Sequence, residues 1–188
     1  MLFRNARGLR RARWATRHPR KRNGWQLLAT RSFCVFASRA DREPVAQILG
    51  RREFWGREFS VTRDVLTPRP ETELVVEEVL ARFAGSPDPR HVADVGTGSG
   101  ILAITLALQW PDATVVATDI SGEALGVAAA NAGTHGVEGR VRLVCTSLLE
   151  GVSGPFDVVV SNPPYVPDGA RHALSRDVRD YEPSVALF

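Results

Sequence analysis

Between residues 91 and 165 the chain alternates short apolar runs with longer segments of helical spacing, and this pattern restricts its fold most strongly. Val92-Ala93-Asp94-Val95 reads as a strand, and Gly96-Thr97-Gly98-Ser99-Gly100 as a tight turn. Residues 101–109 then read as a helix that is apolar on most faces and therefore buried. A second strand over Thr114-Val115-Val116-Ala117-Thr118 ends at Asp119, and Ser121 can cap a helix running from Glu123 through Asn131. Val141-Arg142-Leu143-Val144-Cys145 is a third strand, and residues 156–161 a fourth. Repeated strand–helix–strand units of this size predict an α/β fold with a parallel sheet and right-handed crossovers. In such sheets ligands bind beyond the carboxyl ends of the strands. The glycine turn, Asp119 and Asn162 all fall at such ends.

The preceding segment reads differently. Residues 44–50 form a short helical or extended lead-in closed by glycine, and residues 52–61 alternate around Gly56 as a β-hairpin. Thr67-Pro68-Arg69-Pro70-Glu71-Thr72-Glu73 is a proline-stiffened loop ending at a helix start, with Thr72 or Pro70 at the first turn and acids opposing the dipole. That helix continues through Phe83, with Val75, Val76, Val79, Leu80 and Phe83 on its apolar side. Three regions result: a basic leader over 1–40, a hairpin and linking helix over 41–90, and a partial catalytic domain over 91–188.

Charge separates the leader from the rest. Residues 1–40 hold 11 of the 24 Lys and Arg and none of the 21 Asp and Glu, which leaves 13 − 21 = −8 for residues 41–188. An acidic body argues against a broad nucleic-acid grip, which needs many phosphate contacts. The leader itself is open to three readings: a disordered tail or out-of-frame artefact, a mitochondrial presequence, or a basic arm. No run approaches the roughly 18 apolar residues of a membrane-spanning helix. Cys34 and Cys145 lie far apart, and His91, His135 and His172 have no partners at ligand spacing, so no metal site is expected. Trp110 before Pro111 reads as helix-end packing, and the mixed Arg and Asp residues between 168 and 180 as a solvated segment.

The chemistry concentrates at the strand ends. A G-x-G-x-G turn is in itself a weak signal. It lacks both the dinucleotide spacing and a following Walker lysine, so a phosphate cradle is not expected. Asp119 lies 23 residues after Gly96, the separation that suits a carboxylate accepting two ribose hydroxyls; capping of the next helix is the alternative. Asp94, inside an apolar strand, needs either hydrogen bonds from nearby N–H groups or a cation in front of it. S-adenosylmethionine offers an ammonium and a sulfonium, so the acid favours that cofactor, and a structural bond pinning the loop is compatible with it. Asn162-Pro163-Pro164-Tyr165 is more specific. Two prolines remove backbone donors and leave carbonyl acceptors. With the Asn162 amide oxygen and the flat face of Tyr165, the loop suits a planar –NH2 group whose nitrogen attacks a methyl carbon. Positioning and electrostatic preorganisation would then supply most of the rate, without a strong general base.

These motifs in order resemble class I S-adenosylmethionine-dependent methyltransferases, a Rossmann-like fold. Residues 43–50, Phe54-Trp55-Gly56 and Pro68-Arg69-Pro70-Glu71-Thr72-Glu73 are similar to the HemK/PrmC family, which methylates the glutamine side-chain nitrogen of the Gly-Gly-Gln motif in peptide-chain release factors. The resemblance covers about residues 41–188. It implies that Asp94, Gly96, Thr97, Gly98, Ser99, Gly100, Asp119, Leu148 and Asn162 serve S-adenosylmethionine. It further implies that Asn162, Pro163, Pro164 and Tyr165 bind the glutamine amide, that Asn162, Pro163 and Tyr165 are catalytic, and that Arg69-Pro70-Glu71 borders the cofactor pocket. The partner would be a release factor, in the cytoplasm, or in the mitochondrion if the leader is a presequence. Three features depart from the pattern. Ser147-Leu148-Leu149 stands where an acid usually contacts adenine; the leader shows no amphipathic helices; and the sheet is expected to be incomplete after its fourth strand, with an exposed edge. DNA adenine-N6 methylation and an inactive family fragment are the competing readings.

Overall fold

The computed structural model describes residues 39–188. The readings of the leader therefore lie outside the described residues, apart from its last two positions. A short helix α1 (Val45–Leu49) ends at Gly50, whose φ of 71° closes it in the left-handed region. Strands β1 (Arg51–Phe54) and β2 (Arg57–Ser60) then form the expected hairpin. Trp55 and Gly56 carry φ of 52° and 67°, the two positive values that a two-residue turn of matching twist requires. A non-glycine residue is tolerated there because Glu73 Oε1 accepts from the Trp55 N–H at 2.8 Å. Phe54 and Phe59 leave the hairpin as an edge-to-face pair and enter the main core.

Helix α2 (Glu73–Phe83) follows a 3-10 turn over Pro70–Thr72. Thr72 does not cap it, because its side chain makes no capping hydrogen bond. Strand β3 (His91–Val95), helix α3 (Ile101–Gln109), strand β4 (Thr114–Asp119), helix α4 (Gly122–Thr134) and strand β5 (Val141–Cys145) come next. The Ser121 hydroxyl caps α4 by accepting from the Ala124 N–H at 3.1 Å. Strand β6 (Val158–Ser161) begins two residues later than the apolar pattern suggests. Asp157 explains the delay: its Oδ2 accepts from the N–H groups of Arg90 and His91, so the segment caps the entry to β3 before it joins the ladder.

The four strands are parallel in the order β5-β4-β3-β6. Helix α3 is buried from Ile101 through Ala107, as its apolar circumference requires. Trp110 packs edge-to-face on Phe83 at the end of that helix. Strand β6 forms one edge, where Val158 and Val160 point into the core and Val159 is exposed. Beyond it the chain makes a 3-10 segment (Asp168–Ala173), helix α5 (Arg176–Tyr181) and a last 3-10 turn (Ser184–Ala186). The Arg and Asp residues of this region include an Arg176–Asp180 pair, consistent with a solvated face. No helix among the described residues is long and apolar enough to cross a membrane.

Candidate active site

The sheet register brings the motifs together. Val95 pairs with Thr118 on one side and with Ser161 on the other, so Gly96, Asp119 and Asn162 emerge side by side. The chain leaves β3 toward β4 and β5 and later returns to β6 across β3. The crevice therefore lies where the strand order reverses. A cavity of about 270 Å³ opens there. Gly96, Thr97, Gly98, Ser99, Asp119, Leu148, Asn162, Pro163 and Pro164 line it.

Within the turn, Gly96 and Gly98 have φ of 72° and 55°, and a β-carbon at either would meet open space. The backbone is thus bare on the side a ligand would occupy. Four of its five donors, however, are already committed. The N–H groups of Gly96 and Thr97 both donate to Thr118 O at 2.9 Å, and that of Gly100 donates to Thr97 O. The Gly98 N–H donates to Asp119 Oδ2 at 2.9 Å. With four of its five N–H groups consumed in this way the turn is a poor phosphate nest, which needs several of them free. What it offers is acceptors.

Asp119 Oδ1 also accepts from the Ser121 N–H at 3.0 Å. Its carboxylate thus holds the glycine turn and the start of α4 together, and each oxygen retains a lone pair at the cavity wall. Leu148 is 69 % exposed and sits at φ 51°, so an apolar side chain is held toward the cavity in a conformation costing about 1–2 kcal/mol. The Asn162 Nδ2 donates to the Thr72 hydroxyl at 3.4 Å, which leaves Oδ1 as the free acceptor of the amide.

Three expected site residues stand elsewhere. Asp94 is fully buried beneath the turn, where Oδ2 accepts from the Thr97 hydroxyl at 2.7 Å and the Ala103 N–H at 3.1 Å. The bond that pins the loop is therefore formed, and Asp94 is not part of the cavity wall. Burial raises its carboxyl to about 6 against those two hydrogen bonds, with the nearby Asp119 charge adding to the rise. Gly100 caps α3 at φ 83°, and a β-carbon there would lie 2.9 Å from Ile104 Cδ1 and 3.2 Å from Ala128 Cβ, so its role is packing. Tyr165 is 76 % exposed and lies outside the cavity lining, at the outer end of the loop.

Two contributors lay beyond local pattern. Thr72 was legible as a helix start but not as the partner of Asn162. Glu182 is the larger omission. Its side chain, 1 % exposed, takes both oxygens to Arg69 Nη2 at 2.9 and 2.7 Å, across 113 residues. Val185 and Ala186, just beyond it, complete the cavity wall. Nothing in the string around Glu182 signals a partner so distant. Among the described residues no group of three or more His, Cys, Asp or Glu side chains is placed to hold a metal.

Residues 71–177 match the family model described as the methyltransferase small domain. The chain belongs to that family. This methyltransferase-domain chain is 44 % identical to a release factor glutamine methyltransferase of Chlorobaculum tepidum, over 100 % of its own length and 66 % of that protein's. It is 48 % identical to a release factor glutamine methyltransferase of Neisseria gonorrhoeae, over 79 % of its length and 54 % of the relative's. The chain thus spans between about half and two thirds of the length of these two relatives. A SAM-dependent methyltransferase from Agrobacterium tumefaciens shares the fold, with a TM-score of 0.50 and 20 % identity over 61 % of this chain and 39 % of that one.

Proposed function

We propose that the chain carries the catalytic site of an S-adenosylmethionine-dependent methyltransferase acting on the side-chain amide nitrogen of glutamine in the Gly-Gly-Gln motif of a peptide-chain release factor. The observation that carries this reading is the match, at 44 to 48 % identity, to relatives named release factor glutamine methyltransferases, in a chain whose Asn162-Pro163-Pro164 loop lines the cavity.

The cavity suits the cofactor. A glycine turn with four of its five donors consumed favours a cationic nucleoside over a phosphorylated one. The open lone pairs of Asp119 fit ribose hydroxyls, and Leu148 offers an apolar face to a planar ring. S-adenosylmethionine, when bound, supplies an electrophilic methyl group. The chain's own residues then position the nucleophile. Asn162 Oδ1, freed by the Thr72 contact, and the Pro163 carbonyl accept the two amide hydrogens, which draws electron density onto nitrogen. The exposure of Tyr165 at the end of the loop supports a contact between its ring and the incoming peptide. The nitrogen becomes acidic only on methylation and releases its proton to solvent, so no strong base is needed.

The decisive experiment incubates the chain with methyl-labelled S-adenosylmethionine and a release factor. Label is expected in the Gly-Gly-Gln glutamine, and Asn162→Ala should lower the rate by roughly 10²-fold or more, as loss of one preorganised polar contact does elsewhere. Labelling of DNA in place of the release factor would sink the assignment. No calorimetric binding at millimolar cofactor would leave a non-enzymatic remnant.

A further inference from the structure

The Arg69–Glu182 pair is not explained by positioning of the glutamine. Among the described residues lining the cavity, Arg69 is the single basic side chain, beside the acids Asp64 and Asp119. A guanidinium is always protonated, and a fixed positive charge at a cavity wall repels a cationic ligand. Glu182 sits directly behind it, with both carboxylate oxygens on Nη2 and its own side chain almost wholly buried. The pair is half buried, with Arg69 35 % and Glu182 1 % exposed, and desolvation of the carboxylate offsets much of the attraction. The same pair does have a use where a cation must bind nearby. Asp177 also lies close enough to Arg69 for its carboxyl to feel the charge, but it is solvated and screened by water.

We infer that Glu182 is a positioning residue that neutralises Arg69 and so lets this wall of the cavity accept the sulfonium form of the cofactor. The inference rests on the reading of the cavity as an S-adenosylmethionine site. It predicts a selectivity effect, because S-adenosylmethionine and S-adenosylhomocysteine differ only by the methyl group and the positive charge it brings. Both keep the ammonium, carboxylate, ribose and adenine.

The test is calorimetric titration of the full chain and its Glu182→Gln variant with each ligand. For the variant, the Kd for S-adenosylmethionine should rise about tenfold, or 1.4 kcal/mol, while that for S-adenosylhomocysteine stays within about twofold. The double variant Arg69→Met with Glu182→Gln, which carries no charge at either position, should return the ratio to that of the parent. An equal loss for both ligands would mean that Glu182 only braces the fold, and would overturn the inference, as would an unchanged ratio. Should Glu182→Gln not fold, Arg69→Gln at pH 8.5 reads the same charge with opposite sign: S-adenosylmethionine gains on S-adenosylhomocysteine, and a fixed ratio refutes the inference. If the parent chain binds neither ligand, the proposed function falls, and this inference with it. If it binds both, only the ratio is at stake.

Discussion

The Asp94 carboxyl keeps Oδ2 on Thr97 and Ala103 while Oδ1 is buried with no partner among the described residues. Burial dominates, lifting the group from 3.8 to about 6. A raised acid pKa means that the folded state holds a proton the unfolded state has released. The associated stability is full below about pH 4 and is lost as pH rises through about 6. Asp94→Asn, a neutral isostere, should therefore gain on the parent by up to about 3 kcal/mol between pH 4 and pH 7.5. Urea unfolding of both proteins at the two pH values measures it, and a difference that does not change with pH refutes the burial argument. Thr72 makes a separate prediction. Its hydroxyl sets which end of the Asn162 amide faces the cavity, so Thr72→Val should lower kcat by about tenfold with cofactor Kd unchanged, and Thr72→Ser should retain it. Equal losses in both variants would point to packing alone.

At the scale of elements, the glycine turn separates two functions within five residues. Gly100→Ala combines a left-handed backbone with a 2.9 Å approach to Ile104 Cδ1 and should destabilise the fold by about 3 kcal/mol. Gly98→Ala meets nothing within 4 Å and should cost only about 1 kcal/mol of stability while weakening cofactor binding. Thermal unfolding and calorimetry on the two variants distinguish these outcomes, and similar melting temperatures would contradict the division. The turn, strands β3 to β5 and helix α3 were legible in the sequence because each is a local pattern: an apolar run, a glycine cluster, a helix apolar on all sides. The residues that orient the site were not. Thr72 meets Asn162 across 90 residues and Arg69 meets Glu182 across 113, and no periodicity encodes such partners. Asp94 was open to two readings because an acid inside an apolar strand, one residue before its end, looks the same whether it faces a ligand or pins a loop.

Across the whole molecule, the parts around the cavity are tied by polar side chains as well as by the core. Asn131 on α4 is the clearest case. With 1 % exposure it accepts from the Ser60 N–H at 2.8 Å, and its Nδ2 donates to Ser60 O at 3.1 Å and to Ser99 O at 2.8 Å. One amide thus joins the end of the hairpin, the helix and the glycine turn. Phe54 and Phe59 of the same hairpin enter the core that α3 and the sheet share, so hairpin and sheet should unfold together. Asn131→Ala leaves the buried Ser99 carbonyl and the part-buried N–H and C=O of Ser60 without this partner and should destabilise by about 2–3 kcal/mol. Asn131→Asp should be nearly as costly, because an oxygen then faces the carbonyls of Ser60 and Ser99. Both variants should keep a single urea transition, followed by tryptophan fluorescence, to which Trp55 and Trp110 both contribute, and by circular dichroism. Noncoincident transitions would show the hairpin to be an independent unit, and a loss below 1 kcal/mol would show that the aromatic contacts alone hold it against the turn.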